Sequence, residues 1–189
     1  MNKIATHDSA TGEKSKGFIS LLVTPFAKTQ SKTIKEQYDV GCRMFDIRVK
    51  LINNDWYCAH GCWHTKRSAY AILKEINDFQ EHCYVTLTYE GNSDNVIVFD
   101  NFVNTLQRQL PNIIWGGIAI KYGKDSNPLK VKYDYIKPYA NTYPNNKRGF
   151  LPLDGSSWHI ILPIPWLWKK IYFNKPQFNN DYYIYVDFL

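Results

Sequence analysis

From Arg43 to Val49 the chain alternates in polarity: Phe45, Ile47 and Val49 share one face, and Met44, Asp46 and Arg48 share the other. That period of two predicts a strand with one buried face. Lys3 to Thr6, Trp56 to His60, Tyr84 to Glu90 and Trp115 to Tyr122 read as further strands. Two stretches carry the helical period instead. In SAYAILKEINDFQEHC, Ala69, Ile72, Leu73, Ile76 and Phe79 form one stripe, and Phe99, Phe102, Val103, Leu106 and Leu110 form another within 95–110. Thr33 and Glu36 make a capping-box pair that opens a short helix to Val40, which Gly41 ends. Residues 9–30 read as a long polar loop. After Gly123 the helical signal fades, and Val131 to Lys137, Trp158 to Leu162 and Tyr182 to Leu189 read as strands between Pro-, Asn- and Gly-rich loops. Strands alternating with helices argue for parallel strands and crossover helices. The expected fold is therefore α/β: a compact, irregular TIM-type (β/α) barrel whose helices are reduced in the second half.

The 189 residues predict one domain over 1–189, with no linker and no internal repeat. An apolar share of 44% with 21% charged residues excludes a disordered chain. The net charge of +6 suits an anionic partner, but no dense Lys/Arg tract points to nucleic acid. Four cysteines are too few for a disulfide scaffold, so reduced thiols are expected. No run of about 18 apolar residues is present and MNKIATHDSA has no apolar signal core. The expected location is cytoplasmic, or outside the cell with a signal peptide absent from this chain.

The polar residues with chemical potential fall at strand ends. His7 and Asp8 follow the first strand, Asp46 and Arg48 close the second, His60 closes the third, and Asp187 lies near the end of the last. In a parallel barrel those ends share one mouth. Positions 46 and 48 differ by two, so their side chains point the same way, into the lumen. Two imidazoles, three carboxylates and a guanidinium suit acid–base attack on a phosphate ester: one ring takes a proton, the other returns one, carboxylates set tautomers, and arginine holds the anion. Asp46 reads equally as an ion-pair partner of Arg48.

The segments ATHDSATG, TQSKTIKEQYDVGCRMFDIRV and WYCAHG, in this order and spacing, resemble the X-region of phosphatidylinositol-specific phospholipase C of the bacterial, metal-independent type. The resemblance covers about residues 3–91, with YYIYVDFL matching more loosely. It implies an irregular TIM barrel with His7 as the base for the inositol 2-hydroxyl and His60 as the acid for the diacylglycerol oxygen. It further implies Arg48 on the phosphate, Asp8 and Asp46 as site carboxylates, and Asp187 orienting the base. The reaction implied yields diacylglycerol and a cyclic inositol phosphate. Calcium-dependent relatives carry ligands where this chain has Asp8, Asp46 and Arg48, so a guanidinium stands in for the cation and no metal or other cofactor is expected. One departure is Thr88, where the family carries a substrate-binding lysine. Lys121, Tyr122 and Lys124 are candidate substrate contacts by position.

Two other features call for a reading. Cys58, His60, Cys62 and His64 sit close together, but the C-x2-C pairing of a zinc site and a distant second pair are missing. Trp166 and Trp168 beside Lys169 and Lys170 read as a contact with a peripheral membrane surface, indoles at headgroup depth and ammonium groups on lipid phosphate. The expected partner is thus a phosphoinositide or related phospholipid, bound by a monomer. The competing functions are a metal-dependent glycerophosphodiester or sphingomyelin phosphodiesterase, and a non-catalytic lipid or sugar-phosphate binding module.

Overall fold

A computed structural model describes residues 4–91, 95–120 and 184–186. Its strands are β1 (Ile4–Thr6), β2 (Cys42–Ile52), β3 (Asp55–His60), β4 (Trp63–Ser68), β5 (Cys83–Tyr89), β6 (Ile113–Ile120) and β7 (Ile184–Val186). Its helices are α1 (Phe18–Ala27), α2 (Ile34–Asp39), α3 (Ala69–Asn77) and α4 (Val96–Gln109), and Ser9–Gly12 forms a 3-10 turn.

The alternation along β2 is used as the pattern requires. Phe45, Ile47 and Val49 join Val85, Leu87 and Tyr89 of β5 in a buried layer beneath Ile72, Leu73 and Ile76 of α3 and Phe99, Val103 and Leu106 of α4. The opposite face carries Asp46 and Arg48, level with Thr86 and Thr88 of the parallel neighbour β5. An apolar face that packs helices thus leaves the polar face free to build a site. The predicted capping box is present: Thr33 Oγ1 accepts from Glu36 N, and Glu36 accepts from Thr33 N.

The all-parallel expectation is overturned in the middle of the sheet. β3 returns antiparallel to β2 with Ile52 opposite Asp55, and β4, which the sequence pattern did not reveal, pairs antiparallel with β3. The reversal is made by Asn53 and Asn54, both left-handed at φ 51° and 66°, the two-residue turn whose twist suits a hairpin. The parallel expectation rests on strands alternating with helices, and no helix separates β2 from β3.

Register shows what the hairpin accomplishes. β5 holds one edge of β2 from Met44 to Val49. β1 pairs with Cys42, Met44 and Phe45, and β3 with Val49 to Ile52, so both must lie along the other edge. β1 runs up that edge and stops, β3 runs down it and stops, and their ends meet beside Asp46–Arg48. His7 leaves one end and His60 sits at the other.

The 9–30 loop is also corrected. Ser9–Gly12 is a 3-10 turn, and FISLLVTPFA forms α1 with Pro25 in its last turn. The apolar run outweighs the flanking Lys, Ser and Gly that suggested a loop, and Pro25 withholds the N–H that would bond the Leu21 carbonyl, an interruption confined to the last turn. Gly12 is required there, since a Cβ would stand 1.7 Å from the Lys32 carbonyl oxygen. α3 stops at Asn77, and Phe79 beyond it stacks on Tyr38 with ring centroids 3.9 Å apart.

The described strands form one open sheet, in which β4, β6 and β7 each have a single partner. The closed barrel expected from the sequence is not formed by these residues, and the strands expected at 131–137 and 158–162 lie outside them.

The hairpin turn carries the strand that delivers His60, which gives a first prediction. Asn54→Val should cost about 1–2 kcal/mol, the penalty of a β-branched residue held left-handed, and Asn54→Gly should cost nothing. Urea denaturation of the three proteins measures both.

Candidate active site

Asp8 follows His7 at the end of β1 in a left-handed conformation, φ 44° and ψ 47°, that non-glycine residues rarely adopt. The turn that imposes it is over-determined. Thr11 donates to the Asp8 carbonyl through both its N–H (2.9 Å) and its hydroxyl (2.8 Å). Thr11 Oγ1 in turn accepts from the backbone of Thr29 and Gln30 at 3.1 Å each. Gln30 Nε2 (2.8 Å) and Thr29 Oγ1 (3.2 Å) both donate to the His7 carbonyl. The segment just after α1 therefore clamps the backbone that carries His7 and Asp8.

The clamp aims the Asp8 carboxylate into a buried cluster. Its Oδ2 lies 3.8 Å from His7 Nδ1 and 3.7 Å from His60 Nε2, and its Oδ1 touches Arg48 Nε. Arg48 also donates to Glu90 Oε1 at 3.0 Å and, through Nη2, to His7 Nε2 at 2.9 Å. Asp46 Oδ2 is 3.6 Å from His7 Nε2 and accepts from Asp8 N at 3.3 Å, while its Oδ1 accepts from Thr86 Oγ1 at 3.0 Å. The Asp46 backbone is held by Ser9 Oγ at 2.8 Å.

The partners decide the tautomers. Arginine only donates, so His7 Nε2 presents its lone pair to Arg48, and in the neutral ring the proton is on Nδ1. A carbonyl only accepts, so His60 Nδ1 donates to Ala27 O at 2.9 Å, and Nε2 faces Asp8 Oδ2 at 3.7 Å. The two rings thus meet the Asp8 carboxylate through different nitrogens, His7 through Nδ1 and His60 through Nε2.

Electrostatics keep the cluster charged. Burial by itself would push the Asp8 carboxyl up, but Arg48, with His7 and His60 adding, holds it below its ordinary value. Burial likewise opposes the Arg48 charge, and Asp8, Asp46 and Glu90 together raise its pKa.

Glu90 was read only as the end of a strand. It is buried, and its second oxygen accepts from Gly61 N at 2.6 Å, tying Arg48 to the turn that follows His60. The signal was present in the sequence: Thr86, Thr88 and Glu90 follow each other at intervals of two, on the face of Asp46 and Arg48.

His7, Asp8, Asp46, Arg48 and His60 are thus brought together. Asp187, Lys121, Tyr122, Lys124, Trp166, Trp168, Lys169 and Lys170 lie outside the described residues. The Cys58–His64 run builds no shared center: Cys58 is buried in the core, with its thiol raised by burial, and His64 Nδ1 pairs with Ser20 Oγ at 3.0 Å. Among the described residues, His7, Asp8 and Asp46 offer ligand atoms within 4.8 Å of one another, as a metal would need. The Arg48 contacts with His7 Nε2 and Asp8 Oδ1 put a fixed positive charge against two of these three residues, which does not suit a divalent cation.

No family model and no curated protein matches the chain. Solved structures do. One is the phosphatidylinositol-specific phospholipase C of Listeria monocytogenes, at 26% identity over 58% of this chain and 39% of that one, with a TM-score of 0.48. Two are structures of the Staphylococcus aureus enzyme, at 20% and 17% identity, covering 65% and 64% of this chain and 48% of each of those, with TM-scores of 0.46. The chain is similar to bacterial phosphatidylinositol-specific phospholipases C. It spans less than half the length of these structures.

Two predictions follow from the charges. Asp8 is depressed in the fold, so its contribution to stability is present above its unfolded value and is lost as pH falls through its folded value, below 3.8. The stability gap between wild type and Asp8→Asn should therefore be full at neutral pH and narrow in acid, as read from urea midpoints against pH. Glu90→Ala should cost about 1.5–3 kcal/mol, the worth of a hydrogen bond to a charged group. Glu90→Gln, which keeps an acceptor for Gly61, should lose less in the same measurement.

Proposed function

We propose that the chain is a phosphodiesterase that cleaves phosphatidylinositol-type lipids without a metal ion. The observation that carries this reading is the pair of oppositely set imidazoles on one carboxylate, with a guanidinium against it. As the substrate phosphate draws Arg48 Nη2 away, the His7 Nε2 lone pair is released and accepts the proton of the inositol 2-hydroxyl. The freed oxygen attacks phosphorus, the bond to the diacylglycerol oxygen breaks, and His60 Nε2–H protonates that oxygen as it leaves. The products are diacylglycerol and a cyclic inositol phosphate, and proton and charge balance across the two rings.

Arg48 supplies the positive charge that a cation would otherwise bring to the phosphoryl oxygens, and its contacts with Asp8 and Glu90 hold it in place as charge develops. Asp8 stabilizes the His60 imidazolium before transfer. Asp46 holds the first turn through Asp8 N and supports the proton that His7 acquires. Asp187 as orienter of the base, and Lys121, Tyr122 and Lys124 as inositol contacts, remain part of the proposal. Thr88 beside Arg48 offers a hydroxyl in place of a cation, which favors a different set of inositol contacts from the family's.

The alternative with a specific observation behind it is a cation-dependent phosphodiesterase, because His7, Asp8 and Asp46 are near enough to share an ion. Incubation with phosphatidylinositol in EDTA, followed by phosphorus NMR for the cyclic phosphate, separates the two. Turnover should persist in chelator, follow a bell-shaped pH profile, and fall by roughly 10²–10⁴-fold in His7→Ala and in His60→Ala. Activity lost in EDTA and restored by Mg²⁺ or Ca²⁺ supports the cation reading. Binding of the lipid without turnover supports the non-catalytic module.

A further inference from the structure

Past Arg48 the polar face of β2 continues to Lys50, two residues further on and about 7 Å along the strand. The cross-strand partner of Lys50 is Tyr57, which projects from the same face of the hairpin. Lys50 Nζ reaches the Gly61 carbonyl at 3.5 Å, too far to be held firmly. From the other side Lys16 Nζ donates to Tyr57 Oη at 2.8 Å and stands 4.4 Å from the ring centroid. His64 meets the same ring edge-on at 5.7 Å, and its partial burial and both ammoniums hold it toward the neutral form.

The backbone under these side chains is fixed. Lys16 N donates to His64 O at 3.0 Å and Lys66 N to Lys14 O at 2.7 Å, so residues 14–16 run along β4. Ser20 of α1 accepts from His64 N at 3.1 Å and pairs with Nδ1 at 3.0 Å, which sets the imidazole ring.

What the group lacks is negative charge. Lys35 and Lys74 are paired with Asp39 and Asp78. Among the described residues Lys16 and Lys50 have only neutral acceptors, Tyr57 Oη and Gly61 O. Tyr57 is 9% exposed, and having accepted from Lys16 it keeps an O–H that donates to no acceptor among the described residues. Two ammoniums that repel each other and a nearly buried phenol O–H form a set of donors without an acceptor. A phosphomonoester supplies what is missing, about −1.5 to −2 charge at pH 7 on three acceptor oxygens. The location ties this group to the catalytic cluster. Gly61, whose carbonyl faces Lys50, gives its N–H to Glu90 at 2.6 Å, and Glu90 holds Arg48 at 3.0 Å. A ring with its first phosphate at Arg48 can therefore set a second against Lys50.

We propose that Lys16, Lys50 and Tyr57 form a second phosphate subsite, which takes a phosphomonoester carried on the inositol ring of the headgroup or present as free phosphate. The proposal deepens the phosphodiesterase reading and rests on it only for where the ring lies.

The test is calorimetric titration of the full chain with inositol 1-phosphate, inositol 1,4-bisphosphate and inorganic phosphate. None of them contains a diester, so the result is independent of turnover. The bisphosphate should bind about tenfold more tightly than the monophosphate, the worth of one added set of charge-assisted hydrogen bonds. Lys50→Gln and Tyr57→Phe should each lose most of that advantage with monophosphate binding unchanged, and Lys50→Arg should keep it. Thermal midpoints equal to wild type establish that the variants fold. Lys74→Gln, which removes the same charge from α3, should bind all three ligands as wild type does. A bisphosphate advantage that depends on Lys50 supports the subsite with the headgroup as its source of phosphate. Inorganic phosphate binding that depends on Lys50, without a bisphosphate advantage, supports it with free phosphate as the source. The proposal is overturned if folded Lys50→Gln and Tyr57→Phe bind every ligand as wild type does, or if Lys74→Gln loses as much. Failure of the catalytic reading shows separately, as no turnover of phosphatidylinositol while the Lys50-dependent binding remains.

Discussion

Everything in the described part of this protein is arranged around one buried charge, the Arg48 guanidinium. It is almost withdrawn from water, and a lone charge in that position is ruinous for stability unless partners surround it. Asp8, Glu90 and His7 are those partners, and they come from two strand ends, those of β1 and β5. Each must be delivered to within hydrogen-bond or ion-contact distance at the same time. That requirement explains local features that look costly alone: Asp8 in a left-handed conformation, and a tight turn at Gly61 bonded to Glu90.

The sheet makes the delivery possible by dividing labor between its faces. The face bearing Phe45, Ile47, Val49, Val85, Leu87 and Tyr89 is covered by α3 and α4, and this apolar layer secures the strands. Trp56 extends the layer onto the hairpin, stacking on Phe102 at 4.5 Å and meeting Tyr89 edge-on at 5.4 Å. The hairpin is thereby fixed to the same core as β2 and β5, and His60 at its end inherits that rigidity. The polar face then needs only short side chains, Thr86 and Ser9, to hold Asp46 in place.

The segment between β1 and α2 joins this interior to the outside. Its small and polar residues, Thr11, Ser20, Ala27, Thr29 and Gln30, turn inward, and its large apolar ones turn outward. Ser20 ties α1 to β4 through His64, whose ring is kept toward its neutral form by partial burial and by the nearby Lys16 and Lys50. One stretch of chain thus carries the outward apolar surface and the hydrogen bonds that hold both imidazole-bearing strand ends.

Much of this was legible before any coordinates. The alternation in β2 and β5, the stripes of α3 and α4, and the capping box of α2 are periodic or local signals, and local stereochemistry reads them directly. The motif residues His7, Asp8, Asp46, Arg48 and His60 could be named as one group from their order along the chain. The hairpin, β4 and the outward face of α1 were not legible, and for Glu90 the strand period gives the face but not the partners. β3 runs antiparallel because the Asn53–Asn54 turn is too short for the crossover that a parallel strand needs, and nothing within WYCAH records that. Glu90 acquires its importance only when Arg48 and Gly61 arrive from elsewhere. An apolar helix looks the same in sequence whichever way its large side chains point. By itself the amino-acid order determined which side chains share a face and which residue types were available for acid–base work. Only the tertiary structure decided which strand ends meet, because that follows from long-range pairing along β2 and from the need to surround a buried guanidinium.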